Sequence, residues 1–214
     1  MKTFALVTAV ICASASLCGG QIIYNGDFET GNLNGWTTFT TPNGALKPPG
    51  SSLPPVAQFD VLGTDVPSDA AQFQVGEVNF NATEQGGGIL QTFSVSAGQY
   101  VISADFAAYN LNFNDEAGLE TVSVDSVTVG TLDFGLINPS QTKRGVIQGT
   151  LNLSGGTHQI TIELTRPYIN DNETPFEYVD NVAVTPVPEP SVMALGMCGL
   201  ALVFSRRIKR NAGK

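Results

Sequence analysis

Two groups of carboxylates are the first place to look for chemistry in this chain: Asp115, Glu116 and Glu120, and Asp171, Glu173 and Glu177. Glycoside hydrolysis requires two carboxyl groups about 5 to 10 Å apart across a cleft, one giving a proton and the other acting as base or nucleophile. Both groups lie in connections that contain glycine, asparagine or proline, so solvated loop charge is the expected state. A calcium loop is the weaker alternative, since neither group has a glycine at the sixth and a glutamate at the twelfth position. Nucleophilic hydrolysis has less to work with. The single histidine, His158, follows Gly155-Gly156 at the start of a strand, and no G-x-S-x-G elbow is present. We expect that histidine to be exposed or satisfied by its surroundings. Gly86-Gly87-Gly88 has neither a lysine nor a helix start after it, which excludes a phosphate-cradling loop. No residue is assigned a catalytic role, and the chain is expected not to be an enzyme.

The elements that carry these residues read as strands. Runs rich in Val, Ile, Thr and Phe span Ile89–Val95, Tyr100–Ala107, Thr121–Val127, Val146–Leu153, His158–Leu164 and Tyr178–Val184. Several alternate with a period of two, which places one face in a core and the other in water. In Thr121–Val129 the alternation leaves the buried face ambiguous. Ser96-Ala97-Gly98 and Ser154-Gly155-Gly156 are short links of the kind that join antiparallel strands. Many short strands with repeated turns and no amphipathic helix between them predict an all-β antiparallel sandwich or jelly roll. Thr41–Pro55 and Gly86–Gly88 read as loops at its ends.

Charge divides along the chain. Ten basic residues face nineteen acidic ones, but only Lys47, Lys143, Arg144 and Arg166 lie between Gln21 and Pro186, with all the acids except Glu189. Such a body repels nucleic acid and attracts divalent cations. It also has no cysteine, since Cys12, Cys18 and Cys198 all lie outside it. A disulfide framework and a thiolate metal site are thereby excluded from residues 21–186.

Near the start of the body stands Asn25-Gly26-Asp27-Phe28-Glu29-Thr30-Gly31, followed by Gly35-Trp36, and near its end Tyr178-Val179-Asp180-Asn181-Val182. This pairing resembles the jelly rolls of carbohydrate-binding modules, also called galactose-binding-like. The resemblance implies that the first and last strands lie side by side and bring Glu29 and Asp180 together. Two such carboxylates repel unless a cation stands between them, and the resemblance implies a structural calcium ion there. Without a metal, Glu29 caps a turn and Asp180 is a solvated strand-end charge. Trp36 is expected in the core. For a glycan, Tyr109, Phe113 and Tyr168 are the candidate stacking rings, although each could equally be core. The competing class is a structural or adhesive extracellular matrix protein with no small ligand.

Both ends of the chain read as addresses. Residues 1–20 carry Lys2, an apolar run from Phe4 to Ala13 and small residues around Ala13-Ser14-Ala15, the layout of a cleaved signal peptide with its helical apolar segment. Leu17 before Cys18 speaks against lipidation. In residues 187–214, Pro188-Glu189-Pro190 precedes an apolar stretch, read as a transmembrane helix over 191–205, and then a basic cluster over 206–210. Thirteen apolar residues from Val192 to Phe204 give about 20 Å of helix, short of the ~30 Å hydrocarbon core, which suits a transient hold. The order of these parts resembles the PEP-CTERM sorting signal of Gram-negative bacteria. That resemblance implies an exosortase-type processing enzyme as partner, passage through the inner membrane, and delivery to the cell surface or matrix in company with exopolysaccharide.

Overall fold

The computed structural model describes residues 22–188, and among them it forms fourteen strands and no helix. They are β1 (Thr37–Thr40), β2 (Gly44–Ala45), β3 (Val56–Phe59), β4 (Ser68–Phe73), β5 (Gly76–Glu77), β6 (Gln85–Val95) and β7 (Gly98–Tyr109). After these come β8 (Asp115–Glu116), β9 (Leu119–Val124), β10 (Val127–Asp133), β11 (Leu136–Ile137), β12 (Thr142–Leu153), β13 (Gly156–Arg166) and β14 (Phe176–Pro186). One five-stranded sheet runs β1-β6-β13-β9-β10 and the other β12-β7-β14-β4-β3, while β2 with β5 and β8 with β11 form two short pairs. Neighbouring strands pair antiparallel throughout. The expected all-β antiparallel sandwich is what forms. The signal segment and the apolar tail, including Glu189 and Pro190 of the sorting motif, lie outside the described residues.

Period-two alternation builds the core. Ile160, Ile162 and Leu164 of β13 and Val122 and Val124 of β9 face Ile102, Ala104, Phe106 and Ala108 of β7 and Val179 of β14. Each Ile, Leu, Val or Phe among them contributes about 1.5–3 kcal/mol relative to staying exposed. Trp36 is in this core as expected, 5.8 Å from Phe28 between ring centroids.

Three expectations need correction. Gly86–Gly88 is not a loop but the buried start of β6. At Gly88 a Cβ would overlap the Ile162 carbonyl of the neighbouring strand, so the glycines admit a close approach within the sheet. The run from Thr121 is not one strand. Asp125 and Ser126 have φ of 49° and 66° between β9 and β10, where Val124 pairs Val127, which is a two-residue hairpin turn with both residues left-handed. The ambiguous face arose because the chain reverses there. Finally, the first and last strands are not neighbours: β1 lies in one sheet beside β6, and β14 lies in the other between β7 and β4.

The segment before β1 is a turn-rich hook instead. Positive φ at Asn25, Phe28 and Gly31 rules out an extended strand. Asn25 organises it: its amide donates to the carbonyls of Asn32 and Asn34 at 2.8 and 3.2 Å, and its Oδ1 accepts from Thr30 Oγ1 at 2.9 Å. The Trp36 indole donates to the Asn25 carbonyl at 2.9 Å. Val182 N donates to the Gly26 carbonyl, and a Cβ on Gly26 would overlap the Val182 oxygen. The hook therefore docks against β14.

Candidate functional site

On β14 the side chains of Glu177 and Val179 face the core, so Phe176, Tyr178 and Asp180 face the other way. Register aligns Phe176 with Tyr109, Tyr178 with Ala107 and Asp180 with Asp105 on β7, and Tyr178 with Gln72 on β4. The outer face of this sheet thus carries aromatic rings at one end and carboxylates at the other.

The aromatic end is tightly organised. Phe59 stacks on Tyr178 at 3.9 Å with only 7° between the planes, and Tyr109 stands tilted beside Phe59 at 6.2 Å. Phe176 follows at 6.5 Å from Tyr178. Val61, Ala70 and Ala107 pack beneath, and the partly buried Phe59, Tyr109 and Phe176 form the accessible rim. The Tyr178 hydroxyl accepts from Gln72 Nε2 at 3.0 Å; burial raises its pKa, opposed by that bond. Arg144, aligned with Ala107 on β12, donates from Nε to the Asp60 carbonyl at 3.0 Å and pairs with the Asp60 carboxylate at 3.4 Å. That carboxylate also accepts from the backbone of Gly63, Thr64 and Asp65, which folds the loop after β3 against the rim.

At the other end Asp180 is 1% exposed. Its Oδ2 accepts from Ser68 Oγ at 2.7 Å and its Oδ1 from Asn181 N at 2.7 Å. Burial, reinforced by the negative charges of Asp105 and Glu29, pushes its pKa up to about 6. Glu29 arrives on the N-terminal hook, where its Oε1 accepts from Asp69 N at 3.1 Å. Glu29 and Asp180 are thus tied to adjacent residues, Asp69 and Ser68. Asp105 accepts from Asn181 Nδ2 at 3.0 Å, and burial raises its pKa. Among the described residues no three Asp, Glu, His or Cys side chains gather as a ready ligand set, so a calcium ion at Glu29 and Asp180 would also need backbone carbonyls or waters.

Of the three rings named from sequence, Tyr109 belongs to the aromatic array. Phe113 is exposed in the connection after β7, where its carbonyl accepts from Asn110 Nδ2, and Tyr168 is exposed beside Arg166, whose guanidinium carbon lies 5.6 Å from the ring centroid. Sequence reasoning missed Phe59, Phe176 and Tyr178. The signal existed for Tyr178, since in the run Tyr178–Val184 it must face opposite to Val179.

The two carboxylate groups of the sequence do not behave as solvated loops. Asp171 and Glu173 do lie in a loop, but Glu120 on β9 and Glu177 on β14 are each 1% exposed and point between the sheets. His158 is buried and bonded at both ring nitrogens, to Asp125 and to the Ser154 carbonyl, as a satisfied histidine should be.

No family model matches the chain, and no curated protein does. Several solved structures are similar. The module TmCBM61, determined with β-1,4-galactotriose, is 12% identical over 79% of this chain and 100% of that one, with a TM-score of 0.44. A xylan-binding domain of family 22 carbohydrate-binding modules is 14% identical over 78% of this chain and 95% of that one, with a TM-score of 0.41. The enzymatically active domain of bacteriophage CBA120 tailspike protein 4 is 13% identical over 78% of this chain but only 21% of that one, with a TM-score of 0.46. The likeness extends to the β-sandwich fold and no further.

Proposed function

We propose that the chain is an exported, non-catalytic glycan-binding protein whose site is the outer face of the β12-β7-β14-β4-β3 sheet. The observation that carries this reading is the Phe59–Tyr178 stack with Tyr109 beside it. The rings pack with Val61, Ala70 and Ala107 as a second cluster outside the main core, and Phe59, Tyr109 and Phe176 keep part of their surface open to solvent. The partly exposed rings of Phe59, Tyr109 and Phe176 offer flat apolar surface to the C–H face of a pyranose, and a flanking polar group such as Arg144 would meet its hydroxyls. The Asp105 and Asp180 carboxylates beside them are committed to Asn181 and Ser68, which suits a structural role better than proton transfer to a substrate. A calcium ion at Glu29 and Asp180 would neutralise that end of the sheet and fix the N-terminal hook to β14.

In this reading the tail around Pro188, Glu189 and Pro190 is a sorting signal, the membrane and an exosortase-type enzyme are its partners, and the acidic body works outside the cell among polysaccharide. The test is a polysaccharide panel, read by glycan array and affinity electrophoresis, with wild type, Phe59→Ala and Tyr109→Ala. We expect wild type to bind at least one neutral polysaccharide and each variant to lose at least tenfold in affinity while melting as a folded protein. Wild type that binds none, or variants that bind equally well, would sink the proposal and leave a matrix protein without a small ligand.

A further inference from the structure

Inside the sandwich, at the end where β8 and β11 pair, two acids approach each other from opposite sheets. Glu120 of β9 and Glu177 of β14 are each 1% exposed. Register flanks both with apolar side chains: Glu177 aligns with Phe73 on β4 and Ala108 on β7, and Glu120 with Leu164 on β13 and Leu132 on β10. Gly118 shows how near they come. Its φ of +103° keeps a side chain out, and Glu120 Oε1 and Glu177 Oε1 lie 3.6 and 3.8 Å from the place its Cβ would take. Neither oxygen of Glu120 has a hydrogen-bond partner among the described residues, nor does Glu177 Oε1, and none of the three reaches solvent. Glu177 Oε2 alone has a donor, Val75 N at 3.1 Å.

The charges around the pair do not balance it. Arg166 of β13 is buried at this end and pairs with Asp115 of β8 at 3.2 Å. One guanidinium offsets one carboxylate charge, so it cannot meet Glu120 and Glu177 as well. The other neighbours add negative charge: Glu84 before β6, Glu116 of β8 and Asp133 of β10 rim an open cavity of about 260 Å³ whose wall includes Gly118. Lys143 of β12 gives its ammonium to the Phe134 carbonyl, and Glu77 of β5 is held by the amides of Asn81 and Thr83. With both ionised, Glu120 and Glu177 would be dry, short of donors and mutually repelling. Burial, and after it the charge of Glu177, raises the Glu120 pKa well above the ordinary carboxyl value, and burial raises that of Glu177 against the pull of Arg166. The proton belongs to the pair. Seated on Glu120, which has no donor of its own, it also supplies the donor that Glu177 Oε1 lacks.

We propose that Glu120 and Glu177 form a proton-held latch that shuts this end of the sandwich, and that loss of the proton to water drives β9 and the start of β14 apart. Glu177 stands between Phe176 and Tyr178, so opening the latch also shifts the aromatic rings on the outer face. The latch is a property of the fold and is read without any glycan.

The test uses the full chain and Glu120→Gln, which keeps the shape of the protonated acid but has no proton to lose. At pH 7 the infrared spectrum of wild type should contain a carboxylic-acid carbonyl band that Glu120→Gln removes and Asp180→Asn retains. Amide hydrogen exchange, corrected for its intrinsic pH dependence, should show wild type losing about tenfold or more in protection at Thr121–Val124 and Glu177–Val179 between pH 6 and 9, with Glu120→Gln losing far less. A raised carboxyl pKa stabilises the fold fully below the unfolded value, about 4.3, and loses that contribution as pH rises toward the folded value. Glu120→Gln should therefore gain on wild type in thermal melts as pH rises from 5 to 9, the His158 contribution being common to both. If Glu120→Gln does not fold, Glu120→Met, which brings no polar atom to satisfy, takes its place with the same expectations. A wild type without the acid band at pH 7, or an alkaline loss of protection that is equal in wild type and variant, overturns the latch.

Discussion

Asp125 Oδ2 stands 2.6 Å from His158 Nδ1, while the other ring nitrogen lies 2.9 Å from the Ser154 carbonyl oxygen. Both partners are acceptors, so only the imidazolium, with two N–H donors, satisfies both. The Asp125 hydrogen bond, aided by Ser154, accordingly raises the His158 pKa above its ordinary 6.5, and the same bond lowers that of Asp125 below 3.8. A raised histidine pKa stabilises the fold fully below the unfolded value and loses that contribution as pH rises through the folded value. The depressed Asp125 acts oppositely, contributing above its unfolded value and losing its effect as pH falls through the folded one. The pair should therefore be most effective between about pH 4 and 6.5. In melts across pH 5–9, the stability of wild type relative to His158→Gln should decline as pH rises through and beyond 6.5. A difference that stays flat or grows with pH would contradict the pairing.

Asp125 also sits on a turn that the sequence concealed. Hairpins of two left-handed residues favour Asn-Gly or Asp-Gly, and this chain has Asp125-Ser126, with the serine at φ 66°. Replacing Ser126 with glycine removes a left-handed penalty of about 1 kcal/mol. Urea titration should show a higher midpoint with an unchanged slope, and a lower midpoint would mean the serine makes an interaction that outweighs its strain.

Five of the six strand runs were legible because they are long, rich in branched residues and alternate, while the run from Thr121 hid a turn at Asp125-Ser126. The short early strands were not: Ser68–Phe73 reads SDAAQF, whose polar and small residues suit a strand only because β14 and β3 flank it. The aromatic site was half legible. Tyr109 could be named as a ring near a loop, but Phe59 joins Tyr178 across 119 positions of sequence, a relation that only the order of strands in the sheet creates. Glu120 and Glu177 were visible as acids in two separate groups. Their burial came from strand phase, which places each on the same side as the valines two positions along.

Asn25 is the hub of the N-terminal hook, and its side chain makes three hydrogen bonds in a buried position. Asn25→Ala should lower stability by about 2–4 kcal/mol, since the Asn32 and Asn34 carbonyls lose their donor. Urea or thermal unfolding measures this directly. A loss below about 0.5 kcal/mol would show that the hook is not part of the cooperative fold.

The sorting reading makes a chemical prediction independent of the sandwich. Mass spectrometry of the mature protein from its native host should find a C-terminus short of Lys214, near Pro188-Glu189-Pro190, and Glu189→Ala should leave the tail attached. An intact Lys214 in the wild-type protein would turn the tail into a simple membrane anchor.

Calcium at the Glu29–Asp180 position can be tested by the segments it would hold together. Glu29 is held through the Asp69 backbone and Asp180 through the Ser68 hydroxyl, so an ion there would clamp the hook, the start of β4 and the bulge in β14 after Asp180. Its loss should free the hook more than the sheets. Hydrogen exchange after chelation should accelerate at Asp27–Gly31 and Asp180–Val182 while β9 and β13 stay unchanged. Glu29→Gln should remove the calcium-dependent protection of the hook and leave exchange in β9 unchanged, because distant sites that share no partners respond independently. If chelation leaves exchange in the hook unchanged, no ion is held there. The elevated Asp180 pKa, about 6, then rests on burial first and on the nearby charges of Asp105 and Glu29 second, with no cation to bring it back down.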